Sequence, residues 1–429
     1  MRNKTQDTAI IILFYFLTIF CCPPPSAFAE ELVLTLDEAI MLALRDNRSI
    51  RLQAQDVARI KAQLASDKSE LWPTLTFAGT QQYDKGYYPA DMSSTITQTS
   101  IRQYLYKGGS ITNQIEKTKY DMQAAQAITT KARHEIILTV TKTFCATLLA
   151  QEYARLNKAI VDNTQQHLEF ISARYQKGLA SENDILRLKN SLENVAVVYY
   201  ESLDQISSLK AILRNALYLE NDIALSLTGA LAYEPRDFLY DESFLEALAS
   251  RPEIKEFEAR ERSGIKAIEI AKADGRPTIH ASWDYYSRSH ILSTASKNWN
   301  DNMVIGVTFS WPVFDGWGTK AKVDQAITDL KQVQLLKEKT IKDIALELKQ
   351  AYLILKGSMS RLQAVEAELV WYENSIKKVV AQYEKGEASQ LDLSDAQIGR
   401  DISIFKKTQA VYDYLIAHAD FLKATGGLQ

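Results

Sequence analysis

Disulfides have almost no material here. The 429 residues contain three cysteines, and two of them, Cys21 and Cys22, fall within the first thirty positions. Cys145 stands alone in the remainder, which excludes an intrachain disulfide framework. Histidine is as sparse: His134, His167, His280, His290 and His418 are dispersed, without a His-Cys or His-Glu ligand spacing, so a metal centre lacks its ligand set. No Gly-rich phosphate loop follows a predicted strand, and no Gly-x-Ser-x-Gly elbow occurs; nucleotide-dependent and serine-hydrolase chemistry therefore lack their parts. The many Asp and Glu on predicted helices pair with Lys at i,i+4 and read as surface salt bridges. No catalytic, cofactor-binding or metal-binding residue is expected, and the chain does not read as an enzyme. A formal net charge of −3 is too weak to point to nucleic acid or to an anionic membrane surface. Beyond the N-terminus no uncharged apolar run reaches about twenty residues, so no transmembrane helix is expected.

Proline is missing from two long stretches. Between Gly109 and Tyr175, and again between Gly318 and Tyr383, there is none, and Gly357 is the only internal glycine. At 1.5 Å per residue each stretch would extend roughly 100 Å as one helix. Ile341, Ile344, Leu348, Ala351 and Leu355 hold a 3-4 spacing, and Ile137, Val140, Phe144 and Leu148 nearly do, so a coiled-coil seam is expected on each rod. Both rods end in a shared decapeptide. Tyr175-Gln176-Lys177-Gly178-Leu179-Ala180-Ser181-Glu182-Asn183-Asp184 returns as Tyr383-Glu384-Lys385-Gly386-Glu387-Ala388-Ser389-Gln390-Leu391-Asp392, identical at six of ten positions and offset by 208. Lys-Gly ends a helix and Ser-x-x-Asp caps the next, so each copy reads as the tip of an antiparallel helical hairpin. Ser181 to Tyr218 and Ser389 to Lys423 are the expected return helices.

What is present elsewhere follows the same doubling. Arg2 and Lys4, the apolar run from Thr8 to Cys22 and Ala27-Phe28-Ala29 read as a signal peptide over 1–29; an uncleaved anchor, or a lipid on Cys21 or Cys22, are the alternatives. Thr35-Leu36-Asp37-Glu38 is a capping box opening a helical stretch to Trp72, stopped by Pro73. Ala43 to Ile50 is echoed by Ala247 to Ile254, and Pro73-Thr74 by Pro277-Thr278. Glu220 to Tyr240, with Gly229 and Pro235, reads as an irregular linker. Between the prolines and the glycines of Gly108 and Gly316 the hydrophobic period changes to two. Met303, Ile305, Val307, Phe309 and Trp311 alternate with polar or small residues, as do Ile279, Ala281, Trp283 and Tyr285. Leu75 and Phe77 begin the same pattern, and Ile96 to Tyr106 is a noisier strand rich in Thr, Gln and Ser. Each half thus supplies one hairpin with a polar loop, Asp84 to Ser94 or Ser287 to Asp301. Four of the six tryptophans lie between Trp283 and Trp317, as an interfacial aromatic belt requires. The alternative is a pair of soluble hairpins packed on helices. Four strands cannot close a barrel, and open edges are not tolerated in hydrocarbon. Eight strands from a dimer or twelve from a trimer are the smallest closures.

The Thr35-Leu36-Asp37-Glu38-Ala39 opening, the Trp72-Pro73 break, the Gly108-Gly109 and Asp315-Gly316 joints and the doubled Tyr-x-Lys-Gly-x-Ala-Ser-x-x-Asp turn resemble the TolC-like outer-membrane efflux family. The resemblance spans the chain beyond the leader. It departs from the family pattern where a proline before the joint, kept as Pro312, is Tyr104 in the first half. It implies a homotrimer: a twelve-stranded β-barrel in outer-membrane lipid, about 74–107 and 278–315 of each protomer, continued by an α-helical tunnel through the periplasm. Residues 30–240 would form one repeat and 241–429 the second. Such a duct would dock a periplasmic adaptor and an inner-membrane transporter of the RND or ABC type, and would export small molecules or polypeptides. By the same resemblance Tyr175, Gly178, Ser181 and Asp184, with Tyr383, Gly386, Ser389 and Asp392, would meet the adaptor, although the glycines and capping pairs are also needed merely to fold the turns. Family gates use carboxylates a few turns before the second tyrosine. Glu373 sits at that place, while Ile376 and Lys377 occupy the turn where a second acid would fall. A periplasmic coiled-coil adaptor or scaffold is the rival reading; it would not carry the hairpin twice.

Overall fold

The computed structural model describes residues 32–85, 92–220, 223–234, 236, 238–289 and 299–428. The expected leader, Cys21 and Cys22, Gly86 and Pro89 of the first loop, residues 290–298 of the second and Pro235 of the linker lie outside the described residues. In chain order the first half contains β1 (Leu32–Leu34), α1 (Leu36–Asp46), α2 (Arg48–Ser69), β2 (Thr74–Asp84), β3 (Met92–Lys107), α3 (Ser110–Gln176) and α4 (Glu182–Leu217). There follow β4 (Leu225–Leu227), α5 (Tyr240–Ser250), α6 (Pro252–Ala273), β5 (Thr278–Ser289), β6 (Asn300–Ser310), α7 (Gly318–Glu384) and α8 (Gln390–Thr425).

Both proline-free stretches are single helices of 67 residues, and both return helices have 36. Among the described residues no helix is long and apolar enough to cross a membrane. The chain separates into two compact units, the first from the described residues of 1–45, 140–232 and 369–412, the second from 46–139, 233–368 and 413–429.

In the first unit β1 and β4 pair in parallel, Leu32 opposite Leu225 and Leu34 opposite Leu227. Leu34, Leu225 and Leu227 are buried. The expected irregular linker thus contains a strand, too short for a period-two pattern to reveal. α3 and α8 pack through Tyr153 and Phe405, ring centroids 5.2 Å apart. Ser394 also donates to Asn163 Oδ1 over 2.8 Å in a buried pair. Val140, Phe144 and Leu148 of the expected seam are buried there. Cys145 is buried beside them, and burial pushes its thiol up to about 11, so it is a core residue and not a reactive one.

The second unit holds the sheet. In the first unit the capping box at Thr35 forms as read, Glu38 accepting from Thr35 N at 2.9 Å, but the helix it opens does not run on to Trp72. It stops at Asp46. Asn47 leaves the helical conformation and its side chain accepts from Ser49 N and Ile50 N at 2.8 and 3.4 Å, starting α2 afresh. Asn competes for backbone donors in this way, which apolar periodicity does not register. In α7, Ile344, Leu348, Ala351 and Leu355 are buried and Ile341 half-buried, each large side chain worth about 2 kcal/mol of burial. The four longer strands form one sheet in the order β2-β3-β5-β6, antiparallel throughout. β3 joins the two hairpins through β5, with a bulge between Tyr104 and Tyr106. β6 ends at Ser310, so Trp311 and the stretch to Asp315, expected to continue the barrel, are not strand. Pro312 has no N–H to give a ladder.

Candidate functional site

Each tip is a Schellman turn followed by a capping box. Gly178 has φ +74° and Gly386 φ +75°, the left-handed region that glycine enters without steric cost. In the first, Gly178 N donates to Tyr175 O at 2.8 Å and Leu179 N to Arg174 O at 2.9 Å. The second repeats this with Gly386 N to Tyr383 O at 3.0 Å and Glu387 N to Gln382 O at 2.9 Å. Ser181 Oγ accepts from Asp184 N at 3.2 Å, and the Asp184 carboxylate accepts from Ser181 N and Oγ at 3.1 and 2.8 Å. Ser389 and Asp392 do the same at 3.2, 2.8 and 2.7 Å. The serine hydroxyl and then its backbone N–H hold each aspartate below the ordinary carboxylate value. Glycine, serine and aspartate are thus occupied in folding the turn. Tyr175 and Tyr383 contribute only carbonyls to it, and are 43% and 40% exposed, so their rings are available to a partner.

Glu373 is exposed on α7, eleven residues before the helix ends. Its neighbour Tyr372 lies against Gly399 of α8, whose missing Cβ would meet the ring at 3.2 Å. Ile376 is half-buried and Lys377 exposed.

The strand-to-helix joints lie in the second unit. Gly108 and Gly109 have φ +61° and +86°, and Arg276 donates to Gly108 O at 3.0 Å. At the second joint Gly316 and Trp317 have φ +68° and +71°. Asp315 accepts from Thr319 N and Oγ1, both at 2.6 Å, and caps α7.

The sheet sorts its side chains by rows. One set reads Leu75-Ile101-Trp283-Ile305 and Phe77-Thr99-Tyr285-Met303 across the strands. Leu75, Phe77 and Ile305 are 69%, 75% and 71% exposed. The alternating rows read Thr74-Arg102-Ser282-Gly306, Thr76-Ser100-Asp284-Val304 and Ala78-Gln98-Tyr286-Asn302. Over these rows one face is apolar and exposed while the other is mainly polar; the next row of the first face, Gly79-Thr97-Ser287-Asp301, is polar. Soluble sheets bury such an apolar face.

A sequence model of the outer membrane efflux proteins matches residues 39–217 and again 245–427. The chain belongs to the outer membrane efflux protein family. Among curated relatives it is 23% identical over 419 residues to the probable efflux pump outer membrane protein TtgC of Pseudomonas putida, covering 91% of this chain and 83% of that one. It is 20% identical over 407 residues to the alkaline protease secretion protein AprF of Pseudomonas aeruginosa, covering 90% and 83%. The crystal structure of the Campylobacter jejuni CmeC outer membrane channel superimposes with a TM-score of 0.75 over 91% of this chain and 85% of that one, at 18% identity. The protein is therefore an outer-membrane exit channel of the TolC fold and performs no bond chemistry, and the adaptor or scaffold reading is set aside.

Sequence reasoning found the tips, the joints and the apolar rows. It missed a buried ionic cluster in the second unit. Arg251 is 3% exposed. It donates to Glu253 through Nε and Nη2, each at 3.1 Å, and through Nη1 to Glu347 at 2.6 Å and Ala424 O at 3.3 Å. Burial opposes both charges, yet the carboxylates hold the guanidinium pKa up and Arg251 holds that of Glu253 down. The only signal was position: Arg251 falls opposite Asn47 in the Ala247 to Ile254 echo.

Proposed function

We propose that three copies of the chain close a twelve-stranded barrel, continued by a helical tunnel, as the passive exit duct of a tripartite efflux pump. The observation that carries this reading is the sheet. β2 and β6 are its open edges, and an unpaired N–H or C=O in hydrocarbon costs several kcal/mol. Copies of the same chain satisfy both edges if β6 of one pairs with β2 of the next. Twelve strands rather than eight is the choice the family resemblance favours. The two family matches, and the equal lengths of the paired long helices, support a two-repeat plan over 30–240 and 241–429. A periplasmic adaptor and an inner-membrane transporter of the RND or ABC type would supply docking and energy. Small molecules are the first substrate class, after TtgC; polypeptide export through a type I secretion system, after AprF, is the second reading. Outer-membrane fractionation with a heat-modifiable band on a denaturing gel tests the assembly. A band at trimer mass is expected, and a heat-insensitive monomer would overturn it.

Within this duct the tips around Tyr175 and Tyr383 are the adaptor contacts. Proline cannot adopt the φ of Gly178 or Gly386, so Gly178→Pro with Gly386→Pro leaves an inserted trimer that no longer confers substrate resistance; unchanged resistance would refute the tip assignment. Glu373 is the periplasmic gate. Three carboxylates around one axis repel one another and attract divalent cations. Glu373→Ala should raise single-channel conductance or weaken divalent block in planar bilayers, and traces identical to those of the parent channel would dismiss it.

A further inference from the structure

The polar rows carry a feature that neither turn geometry nor lipid contact requires. Ser100 donates to Asp284 Oδ1 at 2.6 Å, and Gln98 donates to the same oxygen and to Tyr286 Oη, both at 3.1 Å. The carboxylate is thereby fixed on the sheet, not left on a free rotamer. Arg102 lies one polar row away on the paired strand, with its side chain exposed. A pinned anion and a cation on adjacent rows set opposite charges side by side on the polar face. With the apolar face in lipid, the polar face lines the bore. We propose that Arg102, together with Asp284 held in place by Ser100 and Gln98, forms the charge-discriminating pair of the barrel lumen, orienting dipolar and zwitterionic solutes and setting ion preference. The inference rests on the barrel reading, and its test separates the two.

The full-length channel, reconstituted in planar bilayers under a KCl gradient, reports selectivity as reversal potential. Asp284→Asn should shift the permeability ratio toward chloride and Arg102→Gln toward potassium, each on the order of twofold, which is what one unit charge does through several ångströms of water. The double variant should return near the parent value. Shifts of the same sign, or no shift in channels of normal conductance, would overturn the pair. Thr76→Cys shares the row of Asp284 and removes none of its bonds, and native Cys145 is buried. Cationic and anionic water-soluble thiol reagents applied to that inserted variant should move the ratio in opposite directions, and absence of a ratio change after labelling would count against the proposal. Phe77→Cys, on the apolar row, should stay unlabelled from water. If Phe77→Cys labels and Thr76→Cys does not, the barrel reading itself is at fault and the pair falls with it.

Discussion

Three places in the first half have a counterpart in the second, and they do not match equally. The tips at Gly178 and Gly386 agree in residues, φ and hydrogen bonds. The helix breaks and the strand-to-helix joints do not. Asn47 starts α2 with its own side chain; Arg251 starts α6 without a side-chain cap, Pro252 following at the first helical position. One joint uses Gly108-Gly109 and the other Gly316-Trp317. A Schellman turn followed by a capping box admits few sequences, so chemistry is repeated where geometry leaves no choice. A helix start can be made by an Asn cap or by a pre-organised proline, which frees Arg251 for other work.

The breaks offer the largest test of that difference. Arg251→Ala would leave Glu253 only Lys131 at 3.9 Å and Glu347 only Lys423 at 3.4 Å, and would remove the donor to Ala424 O. Loss of one partner of a buried pair costs about 3–5 kcal/mol, and partial exposure of Glu347 puts the expectation at the lower end, about 3 kcal/mol. Asn47→Ala removes only a cap and should cost about 1 kcal/mol. Denaturant midpoints of the detergent-solubilised protein compare them, and equal losses would mean that the two breaks are equivalent after all. The cluster also carries a pH signature. The folded pKa of Glu253 is depressed below its ordinary 4.5, so its contribution is full above that value and fades as pH falls through the folded value. Arg251→Ala should flatten that acid limb.

The joints test the same point at smaller scale. Gly108 and Gly316 share a left-handed φ, but a Cβ on Gly108 would sit 2.6 Å from Ala273 O and 3.0 Å from Arg276 Cβ, whereas one on Gly316 meets nothing within 4 Å. Gly316→Ala should therefore cost about 1 kcal/mol from the backbone alone. Gly108→Ala adds a backbone clash and should lose about 2 kcal/mol more. Similar thermal midpoints for the two variants would show that the first joint has room to shift.

These contrasts mark what the sequence could disclose. The long helices, the tips and the hairpins were legible because each rests on a local period or on a turn with few solutions. Pairing of β3 with β5, the short β1 and β4, and the Arg251 cluster were not, because they join residues far apart in sequence. Asp284 and Arg102 were hidden for a related reason: Thr97 and Thr99 of β3 fall on the face of Leu75 and Phe77 while Gln98 and Ser100 fall on the other, so both faces of the strand read as polar and the period blurs. The break at Asn47 was local yet unread, since side-chain capping leaves no mark on the hydrophobic pattern.

Trp317 gives the finest comparison. It occupies the left-handed position that Gly109 fills in the first half, at a cost of about 1 kcal/mol relative to glycine. Its ring recovers little within the chain: it is 69% exposed and touches Phe314 edge-on at 6.0 Å, with Lys320 5.8 Å from its centroid. An exposed tryptophan and phenylalanine just past β6 suit a membrane interface, where the indole is amphipathic. Trp317→Gly should therefore leave the detergent-solubilised protein as stable as before or more stable by a few tenths of a kcal/mol, balancing relief of φ against lost contacts. In lipid vesicles the same change should lower thermal stability. A loss of equal size in detergent and in vesicles would show that the ring serves the joint itself, and the two joints would then differ in packing rather than in their relation to the membrane.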